Sequence, residues 1–326
     1  MGRIKAAIVK LLPPALLMHL QAMDHYFNGE PEIRLLKHLV DGSRAAIDAG
    51  ANIGTYSYFL RRHAKAVHAY EPNPDLAARL QRVMPDVVVR PVALSDTLQE
   101  LTFAVPLDKS GRVRHELGSI AQTFAGPARQ FRVKCVTIDS EALNDVGFIK
   151  IDVEQHEREV LRGALTTIRH CRPVILIEVY PLKYQQSVPE EFSFLLRENY
   201  CAWFSFADQW YPLESFRREV HAKRENFGTR GRFMGNNLVF FPLEHALAKV
   251  GPTSRRLTQR SRTRASNINR WVRLPKVDGV LLKDWWKDRH AGGTENCHKR
   301  RSQKPLLHSK SCIKKTHMSR ILERRA

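Results

Sequence analysis

Cysteine is scarce in this chain, and its pattern excludes more than it suggests. The five residues Cys135, Cys171, Cys201, Cys297 and Cys312 are odd in number, widely spaced and without a Cys-x-x-Cys. That argues against a disulfide framework or a thiolate zinc site and for a reducing compartment, so the expected location is cytoplasmic. Apolar runs are short as well: none reaches the roughly 18 residues that a membrane-crossing helix needs. The start, residues 1–20, superficially resembles a signal peptide, but Lys10 and Pro13-Pro14 interrupt it and no small-x-small cleavage site follows. It reads as a packing or membrane-surface helix, which would make any membrane association peripheral. Histidines at positions 19, 25, 38, 63, 68 and 115 show no ligand spacing, so no metal is inferred.

Negative charge is missing from one region. The chain of 326 residues has a formal net charge of +20, yet 21 of its 53 Lys/Arg and only 5 of its 33 Asp/Glu lie in residues 251–326. The preceding 250 residues are therefore nearly balanced, with 32 basic and 28 acidic residues. Basic pairs such as Arg255-Arg256, Lys314-Lys315 and Arg324-Arg325 sit among Ser, Thr, His and Gly with few apolar residues to bury. This is the composition of a disordered tail, with Trp285-Trp286 in its one ordered stretch. An anionic partner, nucleic acid or lipid, is the natural counterpart of such a tail.

What is present, between those ends, is alternation of strand and helix signals. Residues 1–42 read as a helical segment with an apolar stripe of Ile33, Leu35, Leu36, Leu39 and Val40, stopped by Asp41-Gly42. Strands are predicted at 45–48, 66–70, 87–92, 148–152, 174–179, 202–206 and 237–241. Helices follow Gly54, Asn73-Pro74 and Asp152, the last running through Ile168, and another covers 191–200. Residues 97–136 read as a hairpin or excursion with a mobile loop between Gly111 and Gly126. Strands alternating with helices across short connections give an α/β fold with a doubly wound, mainly parallel sheet. The expected division is a helical segment over 1–42, a catalytic domain over 43–245 and a basic tail over 246–326.

One stretch carries chemistry. Ala46-Ile47-Asp48-Ala49-Gly50-Ala51-Asn52-Ile53-Gly54 is a buried strand, a glycine turn and a helix start, and Glu71 ends the next strand. That arrangement builds a nucleotide-type pocket at the carboxyl edge of a sheet. The loop lacks the three-glycine spacing of a pyrophosphate site, and Asp48 would repel a pyrophosphate while attracting an ammonium and a sulfonium. Both details favour S-adenosyl-L-methionine over a dinucleotide. Asp48, Gly50, Asn52 and Gly54 are expected to shape the loop under the methionine part, and Glu71 to accept from the ribose hydroxyls. Asn73 is a candidate for the adenosine edge, though helix capping explains it equally well. Ser95 and Asp96, at the end of the third strand, are candidates for the adenine side, and a plain turn is the competing reading.

Acceptor chemistry is expected where strand four ends. Asp152, Glu154, His156 and Glu157 fall within one turn of that point. An alcohol is a weak nucleophile, so a base that takes its proton as the new bond forms is useful. Glu154 or His156 is the candidate base, with Asp152 orienting the donor's amino group or the acceptor. The competing reading is that the two glutamates only complement a helix N-terminus. Glu178 is placed to face the same cleft, or to pair with a basic neighbour.

Several blocks together resemble a known family. They are Asp48-Ala-Gly-Ala-Asn-Ile-Gly54, Glu71-Pro-Asn-Pro74, Ala93-Leu-Ser-Asp96, Thr137-Ile-Asp-Ser140, Phe148-Ile-Lys-Ile-Asp-Val-Glu154 through Gly163-Ala164, and Arg172-Pro-Val-Ile-Leu-Ile-Glu178. In this order they resemble the FkbM family of S-adenosylmethionine-dependent methyltransferases, over roughly residues 30–242. The resemblance implies a class I methyltransferase, Rossmann-like sheet of seven strands. It also implies O-methylation of a sugar, glycan or related hydroxylated metabolite. Gln155 departs from it, since the family usually has glycine there. Two other functions compete. A nucleic-acid methyltransferase is disfavoured because Asp152-Val-Glu-Gln replaces the Asn-Pro-Pro-aromatic block that cradles a base. A pure binding protein acting through its tail is disfavoured by the intact carboxylates at 48 and 71.

Overall fold

The computed structural model describes residues 12–122, 124–206, 209–223 and 237–248, and the backbone of a short antiparallel pair, Lys276–Val277 with Val280–Leu281. Expectations for residues 1–11 and for nearly all of the tail, Trp285-Trp286 included, lie outside the described residues.

Eleven strands lie in the described body: β1 (Ala45–Ala49), β2 (Ala66–Tyr70), β3 (Val88–Arg90), β4 (Ala93–Leu94), β5 (Gln99–Pro106), β6 (Ala128–Val136), β7 (Val146–Ile151), β8 (Val174–Glu178), β9 (Tyr200–Phe206), β10 (Gln209–Pro212) and β11 (Asn237–Pro242). Eight of them form one sheet in the order β3-β2-β1-β7-β8-β11-β9-β10. β1, β2, β3, β7 and β8 run parallel, whereas β11 is antiparallel to both β8 and β9. The sequence predicts seven strands. The eighth, β10, pairs antiparallel with β9 at the sheet edge, where the run Gln209–Pro212 is only 4 residues long and ends in proline. β4, β5 and β6 make a separate three-stranded sheet, which is the excursion expected over 97–136.

Successive side chains of the central strands point to opposite faces, and both faces are covered. Ala46, Val67, Phe148 and Leu176 pack with Met18, Ala22, Leu36 and Leu39 on one side. Ile47, Ile149, Ile151, Ile175 and Ile177 pack with Val160, Leu161 and Ile168 on the other. Every residue of β7 is buried, as a central parallel strand requires. The N-terminal helix Pro14–Asn28 therefore shares the core of the sheet rather than lying beside it. It is not continuous with the next element: the chain breaks at Gly29 and resumes as the 3-10 turn Pro31–Leu35 and the short helix Leu36–Leu39.

Local chemistry sets the other helix boundaries. Asn73 accepts from the backbone N–H groups of Asp75 and Leu76 and Pro74 opens the helix Pro74–Val83. The predicted helix after Asp152 splits into Glu157–Arg162 and Leu165–Cys171. Gly163 at the break lies against the carbonyl of Ser95, where a Cβ would fall 2.0 Å from that oxygen. The helix expected over 191–200 is two short turns, Val188–Glu191 and Ser193–Arg197, and the following strand begins at Tyr200.

Among the described residues, no helix is long and apolar enough to cross a membrane. Gly54 supplies the tightest packing test. It holds φ +91° at the start of the helix Thr55–Leu60, and a Cβ there would lie 2.4 Å from Leu80 Cδ2 and 2.8 Å from Met84 Cε. Gly54→Ala should lose about 3 kcal/mol of stability through backbone strain and overpacking together. Urea unfolding checks it; an unchanged midpoint contradicts this account of the glycine.

Candidate active site

The strand order reverses between β1 and β7. β2 and β3 step away on one side and β8 on the other, so the carboxyl ends of β1 and β7 open a crevice. There the two chains touch. Asp152 N–H donates to the carbonyl of Ala49 at 3.0 Å, and Gly50, at φ +80°, leaves only 1.8 Å between an added Cβ and the Asp152 carbonyl oxygen. Only glycine fits both the left-handed backbone and the space. Above this contact lies a cavity of about 720 Å³, and Asp48, Gly50, Asn52, Glu71, Asp152 and Glu178 are among its lining residues.

The two expected carboxylates are buried in its wall. Asp48 is 1% exposed and accepts from Ser57 Oγ at 2.6 Å; burial raises its pKa to about 6. Glu71 is 4% exposed, and burial raises its pKa to about 7 against hydrogen bonds that favour the charged form. Those bonds come from Asn73 N–H to Oε1 at 2.8 Å and from Asn52 N–H to Oε2 at 2.7 Å. Asn52 reaches Glu71 because it sits in the left-handed region, φ +49°. The glycine turn and the next strand's carboxylate are thus one unit.

Other candidates stand further back. Gly54 lies under the helix it starts, packed on Leu80 and Met84 rather than lining the cavity. Asn73 spends Oδ1 on capping and places Nδ2 3.2 Å from His115 Nδ1. Ser95 is fully buried, its Oγ 2.9 Å from His156 Nε2 and 3.3 Å from Asp96 Oδ1, and neither Ser95 nor Asp96 lines the cavity. Their connection to it is His156, which does.

After β7 the chain makes an unusual turn. Glu154 and Gln155 are consecutive residues with positive φ, +51° and +73°. The glycine usual in the resembled family answers a backbone that only glycine adopts without strain. The turn is braced by Ser119 Oγ, which donates to the Glu154 carbonyl at 2.7 Å, and by Gln155 N–H, which donates to Glu157 Oε1 at 2.8 Å. Glu157 also accepts from the Tyr184 hydroxyl at 2.7 Å, and burial raises its pKa to about 7. It belongs to the scaffold. Burial lowers the pKa of His156, whose Nδ1 lies 3.6 Å from Glu159.

Three contributors went unread in the sequence. Lys150 is 0% exposed, with Nζ 3.7 Å from Asp152 Oδ2, 3.8 Å from Glu178 Oε2 and 4.7 Å from the Tyr56 ring centroid. Burial opposes its charge, but the carboxylates led by Asp152 and Glu178 outweigh that and raise its pKa. Glu30 accepts from the Tyr56 hydroxyl at 2.5 Å and lines the cavity beside Glu178. The signal for Lys150 was a lysine inside an apolar strand, where a charge must be partnered. Glu30 lies in the N-terminal segment, far from every motif. Finally, the loop expected to be mobile between Gly111 and Gly126 is tied down where it meets the site. Ser119 pairs with Ala104 in both directions and grips Glu154, while His115 meets Asn73. Among the described residues no group of three or more His, Cys, Asp or Glu is placed to hold a metal ion.

A mainly parallel α/β sheet, with acidic residues ending adjacent strands around a crevice at the strand-order reversal, is the arrangement expected of a nucleotide-type pocket. Comparison with known proteins adds a family match. Residues 48–203 match the family model described as Methyltransferase FkbM domain. A hexuronic acid methyltransferase, AglP, from Haloferax volcanii is 29% identical over 151 residues, which cover 44% of this chain and 59% of that protein. The match thus spans less than two thirds of that curated relative. Among solved structures, Methyltransferase FkbM from Methylobacillus flagellatus aligns with TM-score 0.40 at 16% identity, over 62% of this chain and 44% of that one. M. jannaschii TYW2 in complex with AdoMet aligns with TM-score 0.32 at 11% identity, over 65% and 73%. Likeness at that level carries no argument about the site.

Two outcomes follow from this geometry. Gln155→Gly should stabilise the protein by about 0.5–1 kcal/mol, because relief of the left-handed strain exceeds the entropy that glycine brings to the unfolded chain; an unfolding midpoint below the parent's contradicts it. Glu71 should make stability fall with rising pH. Its folded pKa of about 7 lies above the ordinary 4.5, so its contribution is complete below the lower value and lost as pH rises through the higher. Glu71→Gln removes that dependence, and its stability relative to the parent should improve by about 2–3 kcal/mol between pH 4.5 and pH 8. Parallel denaturation at the two pH values is the measurement, and a constant difference between the proteins overturns it.

Proposed function

We propose that this protein uses S-adenosylmethionine to methylate a hydroxyl of a sugar, glycan or related hydroxylated metabolite. The observation that carries the reading is the pair of buried carboxylates, Asp48 and Glu71, joined through the Gly50–Asn52 turn at the mouth of the crevice. Buried acids with raised pKa values and few cations of their own suit a ligand that brings positive charge. A cavity of about 720 Å³ has room for such a donor together with an acceptor.

When bound, S-adenosylmethionine supplies a sulfonium-activated methyl group. Asp48 with Gly50 and Asn52 would hold its methionine end and Glu71 its ribose. Gly54 fixes the turn from below, and Asn73, Ser95 and Asp96 support the adenosine side from behind the wall. The acceptor then lies further along the sheet edge, beyond Asp152. Holding its hydroxyl in line with the methyl supplies a large part of the rate. Asp152, anchored to β1 through Ala49, orients the reacting groups. Glu154 or His156 takes the proton. His156 already has Nε2 against Ser95 Oγ, which favours Glu154 as the base. A sugar acceptor also agrees with what the Haloferax relative is named for, within the limits of a partial match.

Calorimetry with S-adenosylmethionine tests the donor side. Heat of binding is expected, with Asp48→Asn weakening affinity at least tenfold. Binding should release protons and be tighter at pH 8 than at pH 6, since Asp48, with a pKa of about 6, and Glu71, with one of about 7, are partly protonated at the lower pH in the free protein and ionise to hold the donor. Absence of binding heat at both pH values would falsify the donor assignment.

A further inference from the structure

The cavity wall beyond the donor has a charge pattern of its own. Three carboxylates converge there from separate parts of the chain: Asp152 after β7, Glu178 at the end of β8 and Glu30 from the N-terminal segment. Lys150 lies behind them, close to Asp152 and Glu178, and the Tyr56 ring over its ammonium passes a hydroxyl hydrogen bond to Glu30. That lysine is fully buried and does not line the cavity, so its charge is spent on the wall and not offered to a ligand. One ammonium therefore serves three acids. Asp152 and Glu178 keep about a third of their side-chain surface open, 35% and 32%.

The other basic side chains lining the cavity come from other elements, His156 from the turn after β7 among them. Arg112, Arg114 and His115 come from the excursion between β5 and β6, and His115 meets Asn73 beside Glu71, where the ribose is expected. His25 lines the cavity from the N-terminal helix, with Asp24 next to it.

Resting on the methyl-transfer reading above, we propose that the acceptor is an uncharged or amine-bearing sugar and that this wall rejects a uronate. An ionised carboxylate only accepts hydrogen bonds, so it matches a hydroxyl or an ammonium and has nothing to offer a second carboxylate. A uronate pressed against this wall would meet the like charge of Asp152 and Glu30 where little water remains to screen it. Adjacent sugar hydroxyls would instead each donate to one of these oxygens. Specificity comes as much from that repulsion as from the contacts. Glu178 shows the same pressure: burial first, then its neighbours Asp152 and Glu30, push its pKa far above the ordinary carboxyl range, so it takes up a proton rather than add a third charge. A further negative charge is the one addition this wall is least able to take.

The test uses the full chain, methyl-labelled S-adenosylmethionine and an extract of the cells that produce the protein. Labelled material is hydrolysed with acid to monosaccharides, which are separated by charge on ion exchangers at neutral pH. Label on neutral or amine-bearing sugars is the expected result. Label on a uronic acid, or on any other acidic acceptor, overturns the proposal while leaving methyl transfer intact. Incorporation into nothing, from a protein that binds the donor in calorimetry, removes the transfer reading beneath it and with it this inference. As a second readout, glucuronate and glucosamine are compared as inhibitors of the labelling. Glucosamine is expected to inhibit at least tenfold more strongly, and stronger inhibition by glucuronate counts against the charge argument.

Discussion

The site depends on keeping carboxylates out of water with too few cations to match them. Asp48, Glu71 and Glu157 are nearly sealed off, Glu178 is largely so, and Lys150 is the ammonium that faces Asp152 and Glu178 from within the sheet. Such a cluster is costly on its own, since each desolvated acid is driven towards its neutral form. The cost has a structural counterpart in the hydrogen bonds that each acid accepts: Ser57 on Asp48, two backbone N–H groups on Glu71, Tyr184 and Gln155 N–H on Glu157. These bonds hold the oxygens in place and leave the charge uncompensated. An acidic pocket of this kind suits a ligand that brings positive charge, which is the basis of the proposed donor binding.

Backbone geometry makes the cluster possible. The carboxyl ends of β1 and β7 approach so closely that Gly50 has no space for a side chain beside the Asp152 carbonyl. From that contact the chain leaves β7 through two residues of left-handed backbone, Glu154 and Gln155, before the helix Glu157–Arg162 begins. Strain concentrated in this turn belongs with function, because it turns the acidic segment back towards the crevice instead of letting it run straight into the helix. The Ser119 hydroxyl on the Glu154 carbonyl then fastens the separate three-stranded sheet to the same turn.

Much of this was legible in the sequence, for identifiable reasons. Strands buried on both faces are near-continuous apolar runs, so β1, β2, β7 and β8 stood out, and Asn73-Pro74 announced its helix by capping chemistry. The carboxylates at 48 and 71 were visible because each ends a strand. Legibility failed where the cause was long-range. Gly163 reads as a tolerated helix glycine, yet it marks a break because Ser95, 68 residues earlier, presses its carbonyl there. Ser95 and Asp96 were placed by their position at a strand end, and the contact of Ser95 with His156, 61 residues away, had no local signal. β10, only 4 residues long and ended by a proline, is too short to announce an edge strand.

Glu30 and Lys150 mark the limit most clearly. Lys150 violated the strand's own pattern, and that violation was the evidence: an ammonium in β7 had to find acids on adjacent strand ends, which narrows the choice to the residues after β7 and β8. Its register partner on β1 is Asp48 itself, so the two groups of carboxylates meet across one pair of strands. Glu30 has no such signal, because only the packing of the N-terminal helix against the sheet brings its loop to Tyr56. The cavity wall is thus partly built by a segment outside the family-matched residues 48–203. Asp48, Glu71, Asp152 and Glu178 lie within that matched stretch, and Glu30 joins them only through the fold of the N-terminal segment.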